Sequence, residues 1–300
     1  MKVIEYQEEL LPELTKMVNF HIRNIPPFIE LTESQVEDVL ENAGEWWCNI
    51  KRPYKQLNKN ISCVIEDGKL IAAIEWAQYE SFDIDYPISR EDCCINWVFT
   101  YPENKRCLQL LIDHIGIVSK KIGCKQLRIP FRFHFGVGWM GIPESWDHII
   151  DGLTDCGFSI RDYAMLMTRS TSSGFVHKNI NLDYKIHHKK NEQTLELITE
   201  CRLKNGELIG ECWLGEMPPY ITKHINRLRY WRYIEWIEVN ENYRRAGIGT
   251  KLLQSQIDHF KDVDNIILMV DADEDDALQF YNKNDFKLEE KLYLFSDKVI

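Results

Sequence analysis

Two segments of this chain recur in the same order and at nearly the same spacing, and that recurrence limits the fold more than any single motif. Asp67-Gly68-Lys69-Leu70-Ile71-Ala72-Ala73-Ile74-Glu75-Trp76 resembles Asn205-Gly206-Glu207-Leu208-Ile209-Gly210-Glu211-Cys212-Trp213, and Gly206 lies 138 residues after Gly68. Both read as a tight turn feeding a strand. Ile95-Asn96-Trp97-Val98-Phe99 then lines up with Ile234-Glu235-Trp236-Ile237-Glu238 at an offset of 139. Two matches in one register imply duplication. The second copy continues as a strand (RYIEWIEV), a helix (GTKLLQSQIDHF, apolar at helical spacing), a strand (NIILMV) and a helix (DDALQFYNKN). The expected fold is therefore mixed α/β, in two tandem copies.

The first copy has a leader, ELLPELTKMVNFHI and ESQVEDVLENA, that reads as two helices ahead of its hairpin. The second has only a polar, basic connector, roughly His177 to Lys190, with no room for such a pair. The Ser, Thr and Gly-rich run TSSGFVHKN marks the boundary, giving domains at residues 1–176 and 177–300.

With 36 Lys plus Arg against 47 Asp plus Glu, the net charge of −11 opposes binding to nucleic acid phosphates or anionic membranes and favours cationic ligands. The nine cysteines form no Cys-x-x-Cys pair, and the N-terminus, MKVIEYQEELLPEL, carries acids and a Pro where a signal peptide needs an apolar run. No segment reaches the length of a membrane span. The expectation is a cytoplasmic protein with reduced thiols, no nucleic acid or membrane partner, and an oligomeric state that the sequence leaves open.

Ile237-Glu238-Val239-Asn240-Glu241-Asn242-Tyr243-Arg244-Arg245-Ala246-Gly247-Ile248-Gly249-Thr250 runs from a strand straight into a helix. Two glycines one residue apart permit a tight turn close to a ligand, and the first amides of the helix have no intrahelical acceptor. Arg244 and Arg245 add positive charge beside the positive end of the helix dipole. The expected ligand is a pyrophosphate. A Walker loop would need a later Gly-Lys-Ser/Thr, and a dinucleotide fingerprint would need a third Gly where Leu252 stands.

Arg244-Arg245-Ala246-Gly247-Ile248-Gly249 resembles the acetyl-coenzyme-A signature of the GCN5-related N-acetyltransferases, Arg/Gln-x-x-Gly-x-Gly/Ala after an apolar strand. The resemblance continues through NIILMV, Ala277-Leu278-Gln279-Phe280-Tyr281 and Asp285-Phe286, covers about Leu182 to Ser296 well and extends more loosely over the first copy. It implies an α/β fold of two tandem domains, each with a mixed, mostly antiparallel central sheet flanked by helices, and main-chain groups of Ile237 and Val239 that hold the pantetheine arm where two strands splay. Amides from Arg244 to Thr250 (Arg245, Ala246, Gly247, Ile248, Gly249) would wrap the pyrophosphate, and Tyr281 would protonate the departing thiolate. Two departures stand out: Glu274 replaces a frequent Asn, and Asp285 replaces Gly at a position needing a left-handed backbone.

Direct transfer also needs something to take a proton from the amine. Glu235 and Glu238 are the candidates, and strand alternation would send them to opposite faces; each could equally face solvent or pair with Arg229 or Arg232. In the first copy, Leu108 and Leu110 stand opposite Gly247 and Gly249, and Leu153 stands opposite Tyr281, so that copy is expected to be silent. Its aromatics Trp46, Trp47, Phe131, Phe133, Phe135 and Trp139 could line an acceptor site or belong to a core. His134 and His187-His188 lack metal-ligand spacing, so no metal is expected, and the acidic run from Asp271 to Asp276 lacks the spacing of a calcium loop. The function so implied is acetyl transfer from acetyl-coenzyme A to the amine of a small, cationic acceptor. A protein amino group as acceptor, or coenzyme A binding without turnover, are the alternatives.

Overall fold

The structure is a computed structural model that describes residues 1–42, 46–47, 50–51, 56–80, 88–129, 141–175, 180–191, 196–217, 225–260 and 262–300. Phe131, Phe133, His134, Phe135 and Trp139 lie outside the described residues, as do the side chains of Trp46 and Trp47.

Along the chain come β1 (Lys2–Glu5), α1 (Leu11–Ile22), α2 (Glu33–Asn42), β2 (Trp46–Trp47), β3 (Ile50–Lys51), β4 (Gln56–Glu66), β5 (Lys69–Tyr79), β6 (Asp92–Thr100), α3 (Arg106–Lys121), β7 (Gln126–Arg128), β8 (Ile142–Pro143), α4 (Asp147–Asp155) and β9 (Ile160–Ser170). There follow β10 (Tyr184–Lys190), β11 (Leu197–Leu203), β12 (Leu208–Glu216), β13 (Trp231–Val239), α5 (Ile248–His259), β14 (Asn265–Asp271), α6 (Asp275–Lys283), β15 (Lys287–Phe295) and β16 (Lys298–Val299). Two compact units result: Met1–Trp46, Lys51–Met165 and Glu290–Ile300 form one, and Trp47–Ile50 with Leu166–Glu289 form the other.

The first unit carries the sheet β1-β4-β5-β6-β7-β16. Its last strand comes from the far end of the chain, where Lys298 pairs with Leu127. Every residue of β6 is buried, as is every residue of β5 after Lys69, because helices cover both faces. Leu14, Met17, Val18 and Ile22 of α1 recur at helical spacing and are fully buried, and Pro12 sits in its first turn, where no amide is needed.

The second unit carries β10-β11-β12-β13-β14, extended by the adjoining parts of β9 and β15. Its core joins Cys201, Ile209 and Cys212 of the sheet to Ile248 and Leu252 of α5. The expected connector through Lys190 is corrected here: Tyr184–Lys190 is a strand, paired along its length with β11. Tyr184 and Ile186 pack on the core while Lys185, His187 and Lys189, on the alternate positions, are exposed. A basic, alternating edge strand reads as a polar linker because lysine protects an edge from further pairing. No helix among the described residues is long and apolar enough to cross a membrane.

Candidate active site

β13 and β14 run parallel, but their pairing covers only Trp231–Tyr233 against Asn265–Ile267. β13 continues to Val239 and β14 to Asp271, so the strands separate from Ile234 onward. At the same point β13 carries a bulge: Trp213 faces Trp236 and Leu214 faces Ile234, which leaves Glu235 as the extra residue. The first copy has the same bulge, since Glu75 faces Trp97 and Trp76 faces Ile95, leaving Asn96. Asn96 and Glu235 are 139 residues apart, the offset of the repeat.

Beyond β13 the chain makes a short turn of 3₁₀ helix, Glu241–Tyr243, and then two left-handed residues, Arg245 at φ 64° and Gly247 at φ 95°. Arg245 is a costly residue to place there; Gly247 is the residue that suits it. Gly247 caps α5 without a side-chain hydrogen bond, and the first bond of the turn comes from the Lys251 amide to its carbonyl. No described hydrogen bond uses the amides of Arg245, Ala246, Gly247, Ile248, Gly249 or Thr250 as donor. Six consecutive open amides at the positive end of a helix form an anion cradle. Arg244 is exposed and its Nε donates to the Val239 carbonyl at 3.1 Å, while Arg245 is exposed and approaches Asp276 at 3.7 Å. Ile248 is buried in the core, so only its amide faces the cradle.

Gly249 has a packing reason beside the ligand-facing one its motif suggests. A Cβ there would stand 3.0 Å from the Phe280 ring and 3.6 Å from Val239. The glycine lets α6 pack onto the start of α5, which brings the next residue, Tyr281, into the core. Tyr281 is 6% exposed and meets Phe280 and Phe286 edge-on at 5.3 Å. Burial, with a smaller contribution from the nearby Cys212 thiol, raises its pKa, so the phenol stays protonated. Cys212 is itself pushed up to about 12 by burial, too high to serve as a thiolate nucleophile. Asp285 adopts φ 62°, the left-handed conformation that a missing glycine requires.

The bulge changes the expected parity of the two acids. Ile237 and Val239 pack on the α5 core with Cys212, which turns Trp236 and Glu238 to the other face. Ile234 pairs with Leu214, two residues along β12 from Cys212, and so shares the α5 face. Glu235, next to Ile234, therefore lies on the same side as Glu238. Both are exposed, and the opposite-face expectation is corrected: it fails because one extra residue shifts the alternation.

In the first copy, α3 already begins at Arg106, the counterpart of Arg245. The Leu108 amide is bound by the Lys105 carbonyl, and its side chain is fully buried against Gly152, where a Cβ would stand 2.3 Å from Leu108 Cδ1. Leu110 is 41% exposed. Leu153 does occupy the place of Tyr281: the Phe158 amide bonds its carbonyl as the Phe286 amide bonds that of Tyr281. One further feature has no signature in the sequence, a buried pair formed by His21 of α1 and His148 of α4. Their Nε2 atoms lie 3.2 Å apart, and both approach the carbonyl of Thr100, the counterpart of Val239.

Comparison with known structures first defines the class, a tandem N-acetyltransferase fold. A GCN5-related glucosamine N-acetyltransferase region of a fungal multi-domain GH3 β-N-acetylglucosaminidase superposes with a TM-score of 0.63 at 12% identity, covering 98% of this chain and 38% of that one. The chain thus spans well under half of that relative. A tandem GNAT protein from the clavulanic acid biosynthesis pathway gives 0.58 at 10% identity over 99% and 98% of the two chains. A GCN5-related N-acetyltransferase from Sphaerobacter thermophilus gives 0.59 at 12% over 99% and 95%. The acetyltransferase (GNAT) family model matches residues 164–286. That match places a GNAT-like domain over the second copy of the repeat. No curated protein matches the chain in sequence.

Proposed function

We infer that the chain is an acetyl-coenzyme-A-dependent N-acetyltransferase whose second copy binds the donor and passes the acetyl group directly to a small, cationic amine. The six open amides from Arg245 to Thr250, set beyond the point where β13 and β14 part, carry this reading. They fit a pyrophosphate, with Arg244 and Arg245 at the rim. Main-chain groups of Ile237 and Val239, on the edge of β13 beyond its pairing with β14, would hold the pantetheine arm. When bound, acetyl-coenzyme A supplies an acetyl group activated as a thioester.

The protein's own work is to place and move protons. As the amine nitrogen bonds to the acetyl carbon, the carbon–sulfur bond breaks; Tyr281, kept neutral by burial, gives its proton to the sulfur. Glu235 or Glu238, directly or through water, takes the proton that the amine loses. The high thiol pKa of Cys212 argues against a covalent acyl-enzyme. The eight described cysteines are free and buried, which suits a cytoplasmic setting.

Acetyl transfer to a panel of amines, followed by thiol release, tests the reading; donor binding without release to any amine or protein would favour a sensor instead. Tyr281→Phe should lower turnover about a hundredfold, the scale of one acid–base group. Donor affinity should stay within about twofold, because the proton matters only as sulfur departs. Unchanged turnover with chemistry rate-limiting would remove Tyr281 from the mechanism.

A further inference from the structure

The face of the second sheet turned away from α5 differs from its counterpart in the first copy in one specific way. In the first copy Ala73 pairs with Phe99 and Glu75 with Trp97. All four are buried, Phe99 against the His21 ring of α1, and Glu75 is matched by Lys59 at 3.3 Å and Asn96 at 2.7 Å. At the same positions the second copy pairs Glu211 with Glu238 and Trp213 with Trp236. Among the described residues no helix precedes its hairpin, and Trp236 is 50% exposed.

An exposed tryptophan beside two directly opposed glutamates is a poor solution for a bare surface, since like charges across a strand pair repel. Neither Glu211 nor Glu238 has an ion pair among the described residues; Arg202 reaches Glu211 only by longer-range attraction, its contact at 2.8 Å being with Glu200, next along the same rung, which Lys189 holds as well. The indole nitrogen of Trp213 is buried and finds no acceptor among the described residues, so what this ring offers a cation is its π face, not its N–H. Aromatic faces and carboxylates together complement an organic cation.

The reacting nitrogen cannot be that cation. Two opposed carboxylates would hold it protonated, and a protonated nitrogen has no electron pair to attack with, so on this reading Glu235, not Glu238, is the acid left to take the reacting amine's proton. We propose that the Trp213–Trp236 and Glu211–Glu238 pairs bind a second positive group of the acceptor, which is therefore a diamine or polyamine with its reacting nitrogen near the bulge at Glu235. The spacing from Glu235 to Glu238 is three strand residues, about 10 Å, which sets the scale of separation between the two nitrogens. This inference rests on the transferase reading for its geometry, but its test does not need turnover.

Spermidine, hexylamine and hexanoate are titrated into the full chain without acyl donor, followed by calorimetry and tryptophan fluorescence. Spermidine should bind saturably, about tenfold more tightly than hexylamine, and hexanoate should not bind. Glu238→Gln and Trp236→Leu should each weaken spermidine about fivefold or more, while Glu103→Gln, the same charge change in the first unit, should have no effect. Equal affinity for the mono- and polyamine, or full binding by the Glu238 and Trp236 variants when circular dichroism finds them folded, overturns the proposal. If spermidine binds through these residues but only other amines are acetylated, the acceptor assignment falls and the transferase reading stands; if no amine or protein is acetylated, the transferase reading falls by its own test.

Discussion

β6 and β13 are copies of one strand with one bulge, yet they solve different problems. In β6 all nine residues are buried, and the bulge residue Asn96 is tied down by Glu75 and the Tyr79 hydroxyl. In β13 the bulge residue Glu235 and its neighbour Trp236 are exposed. The bulge is thus a property of the fold, needed where a strand must bend away from its parallel neighbour; only its contents are local. The same division holds at the next turn. The first copy puts a large Leu108 on its third helix against a small Gly152, and the second puts a small Gly249 on its helix against a large Phe280. One interface is filled from either side, and only the second arrangement leaves a backbone turn with open amides.

The strongest way to break this comparison is to give the second copy the first copy's residue. Gly247→Leu places a branched side chain at φ 95°, costing roughly 1–2 kcal/mol for the left-handed backbone, and fills the cradle. Coenzyme A binding, followed by calorimetry, should be lost while circular dichroism finds a folded chain. Retained affinity would mean that the open amides are not the cofactor's site. The reverse change, Leu108→Gly, should not create a second site, because α3 starts three residues earlier on the repeat's register than α5 and consumes the turn. It should only destabilise, by about 2–5 kcal/mol for an emptied core position.

A second test uses a group that only the first copy has. Burial holds the His21 pKa down at about 4, with a smaller push from His148. Its Nδ1 is within 2.7 Å of the Met17 carbonyl and must donate to it, so the neutral ring leaves Nε2 as an acceptor facing His148. Because the folded pKa lies below the unfolded value of 6.5, the unfolded state binds the proton more readily. Stability from this group is complete above about pH 6.5 and is lost as pH falls toward 4, up to about 3 kcal/mol. Thermal unfolding should lose this increment between pH 7 and 4, and His21→Asn should flatten the loss. An unaltered pH profile in that variant would place the acid sensitivity elsewhere.

These tests also mark what the sequence could carry. The duplication, the order of elements and the turn were legible because glycine, arginine and apolar periodicity report local backbone needs. Tyr184–Lys190 was not, since an edge strand covered in lysine has the composition of a linker. The faces of Glu235 and Glu238 were not legible either: alternation is read by counting, and a bulge adds one without a marker in the residue types. The His21–His148 pair joins helices 127 residues apart in sequence, and no spacing rule reaches that far. The motif marks Gly249 as ligand-facing, and its additional packing against Phe280 is invisible there because it depends on a helix that arrives later in the chain.

The smallest expected effect sharpens the comparison most finely. If Glu211 and Glu238 oppose each other without compensation, then Glu238→Gln should stabilise the ligand-free chain, by roughly 0.2–1 kcal/mol for relief of a like-charge strand pair. A control in the first copy, Phe99→Gln, should do the opposite and more strongly, since it places an amide in a fully buried position. The sign for Glu238→Gln should also depend on salt, shrinking as ionic strength rises and the exposed charges are screened. Denaturant unfolding at low and high salt decides the matter. Destabilisation at low salt would mean that Glu238 already has a protein partner and that this face of the second copy is closed in its own way, like the first; stabilisation that fades with salt would leave the rung as two charges with nothing but solvent between them.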